Sequence, residues 1–132
     1  MPFNWRDFLV LAHELQNDQR ESVQRTCLGR TYYYVYNLGL TNAQRLKFSS
    51  QSIVGKGSHR QLWDWFENRS DPAFKQMGIF GKRIYSKRID ADYKDRPIPN
   101  LGREVQRQIR EAQNFEVLIA KSNNQTPPTP LV

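Results

Sequence analysis

The chain holds a single cysteine, Cys27, in 132 residues, so no disulfide can form within it. Histidine is almost as scarce. His13 and His59 are the only two, and with one cysteine and no acidic cluster they do not make a zinc or divalent-cation site. No metal and no cofactor is therefore expected. No apolar run approaches the roughly 20 residues a bilayer-spanning helix needs, and no secretory leader is recognisable. A membrane partner is not expected, and a soluble, cytoplasmic protein is. Acidic residues are missing altogether from Gly29 to Arg60, a span with five basic ones: Arg30, Arg45, Lys47, Lys56 and Arg60.

What is present is positive charge, and it is regional. The net charge is +7. Residues 69–96 carry eight basic and four acidic side chains, whereas residues 1–28 carry three basic and four acidic ones. Such a distribution favours polyanionic partners, RNA or DNA before a membrane. The same charges would also serve as an ordinary solvated surface.

Apolar residues recur at helical spacing through most of the chain, which predicts an all-α, up-and-down bundle of about five helices. Asn4 and Asp7 resemble a capping pair ahead of a first helix over 5–16, with Trp5, Phe8, Leu9, Ala12 and Leu15 on one face. A long second helix is expected over 19–46, with Val23, Cys27, Thr31, Tyr34 and Leu38 along one side and a kink accommodated near Gly39. Ser58 and Gln61 read as a capping box for a short third helix bearing Leu62, Trp63, Trp65 and Phe66. Asp71-Pro72 is a clear start signal for a fourth helix running to about Tyr93. A fifth spans about 101–120, with Val105, Ile109, Ala112 and Ile119 in register. The expected organisation is one helical domain, 1–121, followed by a disordered tail, 122–132, which is uncharged and proline-rich.

The segment "GRTYYYVYN" (29–37) concentrates the functional question. At 100° per residue Arg30 and Asn37 fall within about 20° of each other, two turns apart, so both rise from one edge of the apolar arc about 10 Å apart along the axis. Thr26 and Tyr33 border that edge. Tyr34 belongs to the core, while Tyr32 and Tyr36 face away, toward neighbouring helices or a partner. An ion pair for Arg30 at the bundle rim, with the tyrosines as packing, is the plain structural alternative.

Taken in order, "NWRDFLVLAHEL", "SVQRTCLGRTYYYVYNLGL", "GSHRQLWDWF" and "GKRIYSKRIDADY" resemble the small prokaryotic proteins of the HEPN superfamily. The resemblance spans about residues 4–120. It implies a helical bundle that often dimerises and that binds or cleaves RNA, in toxin–antitoxin, abortive-infection or CRISPR-linked defence systems. Many such proteins are metal-independent endoribonucleases in which an arginine holds the phosphate and a histidine accepts the 2′-OH proton. Asn37 stands where the related second-helix run has its histidine. An amide cannot exchange a proton near pH 7, though it can still hydrogen-bond a phosphate, ribose or base.

The resemblance therefore implies a catalytically degenerate subunit that binds RNA or another nucleic acid, paired in a homodimer or with an antitoxin or other defence protein. A metal-independent endoribonuclease using Arg30, Asn37 and His59 is the alternative. His59, at the start of the third helix, sits where a helix N-terminus suits a neutral imidazole. Arg6 and His13 also satisfy an Arg-spacer-His pattern, but without a second basic patch beside them. The candidate nucleic-acid contacts are Arg30, Tyr33, Arg60, Lys82, Arg83, Lys87 and Arg88, with Lys75 on the same helix; guanidinium groups fork onto phosphates and exposed aromatics stack bases.

Overall fold

The computed structural model describes residues 2–51 and 55–132. Five helices follow one another: α1 (Arg6–Leu15), α2 (Glu21–Arg45), α3 (Ser58–Glu67), α4 (Pro72–Tyr93) and α5 (Leu101–Ser122). There is no strand among the described residues, and the expected all-α helical bundle is what forms. Helices α1, α4 and α5 all pack on α2, and α3 packs on α4.

Local chemistry explains most of the boundaries. The Asp71 carboxylate accepts from Ala73 N at 2.9 Å, with Pro72 at the first helical position where its missing N–H costs nothing. Asn100 enters α5 in the left-handed region (φ 53°), which asparagine tolerates better than most residues. On α5, Val105, Ile109, Ala112, Phe115 and Ile119 recur at three- and four-residue intervals and are buried. On α4, Met77, Phe80 and Ile84 do the same.

Three expectations need correction. Tyr32 does not face away from the core: it has no exposed surface at all. Helix α2 is covered from several sides, so Cys27, Leu28, Thr31, Tyr32, Tyr34 and Val35 are all buried, and a one-sided wheel cannot describe it. Next, Ser58 and Gln61 form no capping box. Gly57 occupies the N-cap position without a side-chain bond, and Gln61 instead exchanges hydrogen bonds with the backbone N and O of Gln51 at 2.7 Å each and accepts none from α3. The tail is the third. Thr129 O accepts from Arg6 Nη2 at 2.9 Å and Leu131 N donates to Gln113 Oε1 at 2.8 Å, so the proline-rich segment lies along α5 beside α1. Its prolines donate no backbone hydrogen bonds, and two neighbouring backbone groups suffice to tie it down. Helix α2 continues through Gly39, where a side chain would press on Trp63.

The α3–α4 contact positions the site. Gly78 and Gly81, one turn apart on α4, remove side chains where α3 crosses. A Cβ at Gly78 would lie 2.6 Å from Glu67 N and 2.7 Å from Trp63 O, and one at Gly81 would lie 2.2 Å from the Trp63 ring. Trp63 is thereby sunk between α3, α4 and α5, against Phe66 and Phe115.

The far end of α4 is held by Arg25 of α2. Its guanidinium donates to four backbone carbonyls, Asp90 O (3.2 Å) and Ala91 O (3.1 Å) in the last turn of α4 and Lys94 O (2.6 Å) and Arg96 O (2.8 Å) just beyond it, and so ties the helix end to the loop that follows.

Candidate functional site: two hollows along helices α2 and α4

The first turn of α3 opens onto a cavity of about 530 Å³, within the range typical of small-ligand sites. Gly55 and Gly57 form one lip, His59 and Arg60 project from α3, and Tyr85, Ser86, Ile89 and Asp90 line the α4 side. Trp63 forms part of the floor.

His59 is held by aromatic rings. Its imidazole stacks on Tyr36 (centroids 4.0 Å, interplanar 23°) and on Tyr32 (5.6 Å, 28°), with Tyr85 tilted beside it at 5.3 Å. The Tyr32 hydroxyl lies 2.6 Å from His59 Nδ1 and accepts from Trp63 Nε1 at 3.1 Å. Burial, and then the charge of Arg88, hold the imidazole below its ordinary pKa, favouring the neutral ring. Burial likewise pushes the Tyr32 phenol well up, so it remains protonated.

This environment has a stability consequence. The unfolded chain takes up the His59 proton near the ordinary value of 6.5 and the folded chain only at lower pH. The contribution is therefore fully present above about pH 6.5 and declines as the pH falls towards the folded-state pKa. Urea midpoints at about pH 7.5 and about pH 5.5 check it: the drop is expected to be larger in the native sequence than in His59→Gln. Equal drops would refute it.

The cations around this cavity are unequal. Lys82 pairs with Asp64 at 2.6 Å and with Glu67, and Lys56 also pairs with Asp64, so two ammonium groups are matched by two carboxylates. Arg60 has no carboxylate partner among the described residues and is exposed. No side chain caps the first turn of α3, whose backbone N–H groups carry partial positive charge.

A second, smaller hollow of about 280 Å³ lies beside α2, lined by Thr26, Gly29, Arg30, Tyr33 and Asp92. The Arg30 guanidinium lies over the Phe8 ring, 4.9 Å from its centre, and forms no ion pair among the described residues. Arg88 sits between the two hollows. It is buried, donates to the Tyr33 hydroxyl, lies over the Tyr33 and Tyr93 rings at 4.9 and 5.5 Å, and approaches Asp92 at 2.9 Å. That last contact is a charge contact: the Nε–H does not point along a hydrogen bond, and Nε counts among the unsatisfied buried atoms.

The sequence-predicted residues therefore separate into groups. Arg30 and Tyr33 share the small hollow, while His59, Arg60 and Lys82 share the large cavity. Asn37 lines neither: its Nδ2 donates to Tyr33 O at 2.8 Å, one turn back along α2. Arg83 reaches Glu111 at 3.6 Å and lies over Phe80, away from both hollows. Lys87 is half-buried with no ion pair among the described residues, and Lys75 donates to Glu67 O at 3.3 Å. The Arg-spacer-His pattern of α1 does not make a pair either. Arg6 turns to the buried Glu116 at 2.5 Å, and His13 remains apart. Among the described residues no group of His, Cys, Asp and Glu could hold a metal ion, and no helix is long and apolar enough to cross a membrane.

Tyr32 and Tyr36 were assigned from the wheel to a covering role, and their part in holding His59 could not be read from it. A tyrosine pair four residues apart on one helix is a signal for such a clamp only when a third element is known to lie against it.

Beside Arg30, Phe3, Trp5 and Phe8 form a cluster with ring centroids 5.0 to 5.6 Å apart, and Phe3 and Trp5 are exposed. Comparison with protein-family models, with curated proteins and with solved structures found no match to the chain.

Proposed function

We propose that the protein is a nucleic-acid-binding subunit of the HEPN-like kind that holds single-stranded RNA without cutting it. The observation that carries this reading is the orientation of Asn37. Its amide is folded back onto its own helix, so Arg30, the guanidinium of the resemblance, has neither an imidazole nor a free amide beside it. The carboxylate that shares its hollow, Asp92, is held against Arg88, so the guanidinium is left to bind phosphate without a histidine to activate a ribose hydroxyl.

Supporting features lie on both sides of Arg88. Among the described residues neither Arg30 nor Arg60 forms an ion pair, although Asp92 lines the hollow of the one and Asp90 the cavity of the other, and each stands near aromatic rings that can stack bases. Lys82, Arg83 and Arg88 already have intramolecular partners and contribute field more than contacts. The exposed Phe3 and Trp5 next to Arg30 suit a protein partner in the same assembly, a second copy or a defence-system protein.

The test is fluorescence anisotropy with a labelled single-stranded RNA across a salt series. Affinity is expected to fall steeply with salt, and Arg30→Ala and Arg60→Ala are each expected to weaken binding about tenfold and to flatten the salt slope by about one unit. Unchanged affinity in both variants would remove the reading. The same RNA, incubated without metal between about pH 6 and about pH 9, is expected to stay intact; cleavage abolished by His59→Ala would favour the endoribonuclease instead.

A further inference from the structure

The hydrogen bonds around Tyr32 determine which nitrogen of His59 carries its proton. A phenol brings one proton and two lone pairs. Tyr32 has no exposed surface, and one of its lone pairs is taken by Trp63 Nε1–H at 3.1 Å. The remaining neighbour is His59 Nδ1 at 2.6 Å.

Were Nδ1 protonated, Tyr32 would accept two N–H groups. Its own buried O–H would then have no acceptor among the described residues, which is costly for a group cut off from water. Indole donating to phenol and phenol donating to imidazole satisfies all three groups. That order leaves the neutral ring's proton on Nε2. This nitrogen has no partner among the described residues, and His59 lines the cavity beside Arg60. Tyr36 stacked at 4.0 Å and the Tyr32 hydroxyl at Nδ1 hold the ring plane, so the Nε2–H direction is set in advance.

We propose that the Trp63–Tyr32 relay locks His59 as its Nε2–H tautomer, making it a neutral hydrogen-bond donor that, with Arg60, takes a phosphate oxygen of the bound strand. The ligand clause rests on the nucleic-acid reading above; the tautomer does not. Tyr32 is a positioning residue here, acting through His59. The ring's lone pair is the one engaged by Tyr32, so His59 offers the cavity no base. The charged and titratable groups around it are Tyr32, Tyr36 and Tyr85 at the ring, Arg88 behind it, and Arg60, Lys82 and Asp90 along the cavity wall.

Long-range proton–nitrogen correlation spectra of the full chain, labelled with nitrogen-15 histidine, test this directly. His59 is expected to show a protonated Nε2 and a pyridine-like Nδ1 at neutral pH. His13 serves as the internal reference. Tyr32→Phe is expected to move both His59 nitrogens toward averaged, mixed-tautomer shifts. A protonated Nδ1, or averaged shifts in the native sequence, would overturn the relay whether or not the variant folds. A short oligouridylate is then added, with binding followed separately by anisotropy. Expected is a shift of His59 Nε2 with His13 unmoved. If the oligouridylate binds and His59 stays still, the phosphate contact is wrong. If it does not bind at all, the nucleic-acid reading fails together with that contact, while the tautomer is judged by the spectra alone.

Discussion

Gly78→Ala is expected to destabilise the protein by about 3 kcal/mol or more, against the gain of about 1 kcal/mol that helix propensity alone assigns to such a change. The added methyl would stand 2.6 Å from Glu67 N, 2.7 Å from Trp63 O and 2.9 Å from Glu67 Cα, all of them backbone atoms of α3. Backbone cannot rotate out of the way as a side-chain tip can, so α3 must move as a body. Trp63, Leu62 and Phe66 are fully buried on that helix, and moving it opens the core. Denaturant midpoints decide the matter: a midpoint equal to or above that of the native chain would show that the helices are not in this contact. Because His59 and Arg60 stand on the first turn of α3, the proposed function adds that the same substitution should weaken RNA affinity in whatever fraction remains folded.

Removing the Glu116 carboxylate is the other change with a large expected effect, about 3 kcal/mol for Glu116→Ala. Only 3 % of this side chain is exposed, and it accepts from Arg6 Nε and from the Tyr34 hydroxyl at 2.5 Å each and from Arg6 Nη2 at 3.3 Å. Burial, and next the bond to Glu116, push the Tyr34 phenol well up, so it stays a donor. Without the carboxylate, a half-buried guanidinium and a buried hydroxyl both lose their acceptor. Arg6 is 21 % exposed and recovers some solvation, which places the figure at the lower end for a broken buried pair. Tyr34→Phe alone is expected to cost about 1.5 kcal/mol. Combining the two changes should cost less than their sum, because the hydroxyl has already lost its acceptor; strict additivity would show that the three groups do not act together.

Helix number and type were legible because caps and periodicity are local. Asp71-Pro72 marks the start of α4 with chemistry contained in four residues, and the apolar spacing of α5 matches a helix with one buried face. The central helix was less legible. With neighbours on several sides α2 buries Leu28, Tyr32 and Val35 as well as the expected Thr31 and Tyr34, and one-sided periodicity underestimates such a helix. At Gln61 a local motif lost to a tertiary one: the loop backbone at Gln51 offered both a donor and an acceptor, which a primary amide matches better than a cap does. Gly78 and Gly81, three residues apart on one helical face, did carry a signal of close helix approach, but not of which helix approaches.

The candidate site divides in the same way. Arg30 and Asn37 on one edge of α2 follow from spacing, and Asn37 then closes on its own helix as short polar side chains readily do. The clamp on His59 joins residues 32, 36, 59, 63 and 85, and the ion pairs that occupy Lys82, Arg83 and Arg88 join α4 to α3, to α5 and to itself.

By itself the sequence determined the helical class, the Asp71-Pro72 start of α4 and the region of positive charge, because these depend on neighbours within a turn or two of the chain. Only the tertiary structure decided which cations remain free, which tyrosines are core and which nitrogen of His59 is engaged. Those outcomes depend on distances between residues far apart in the chain, and desolvation and hydrogen bonding act over a few ångströms in space whatever the separation in sequence.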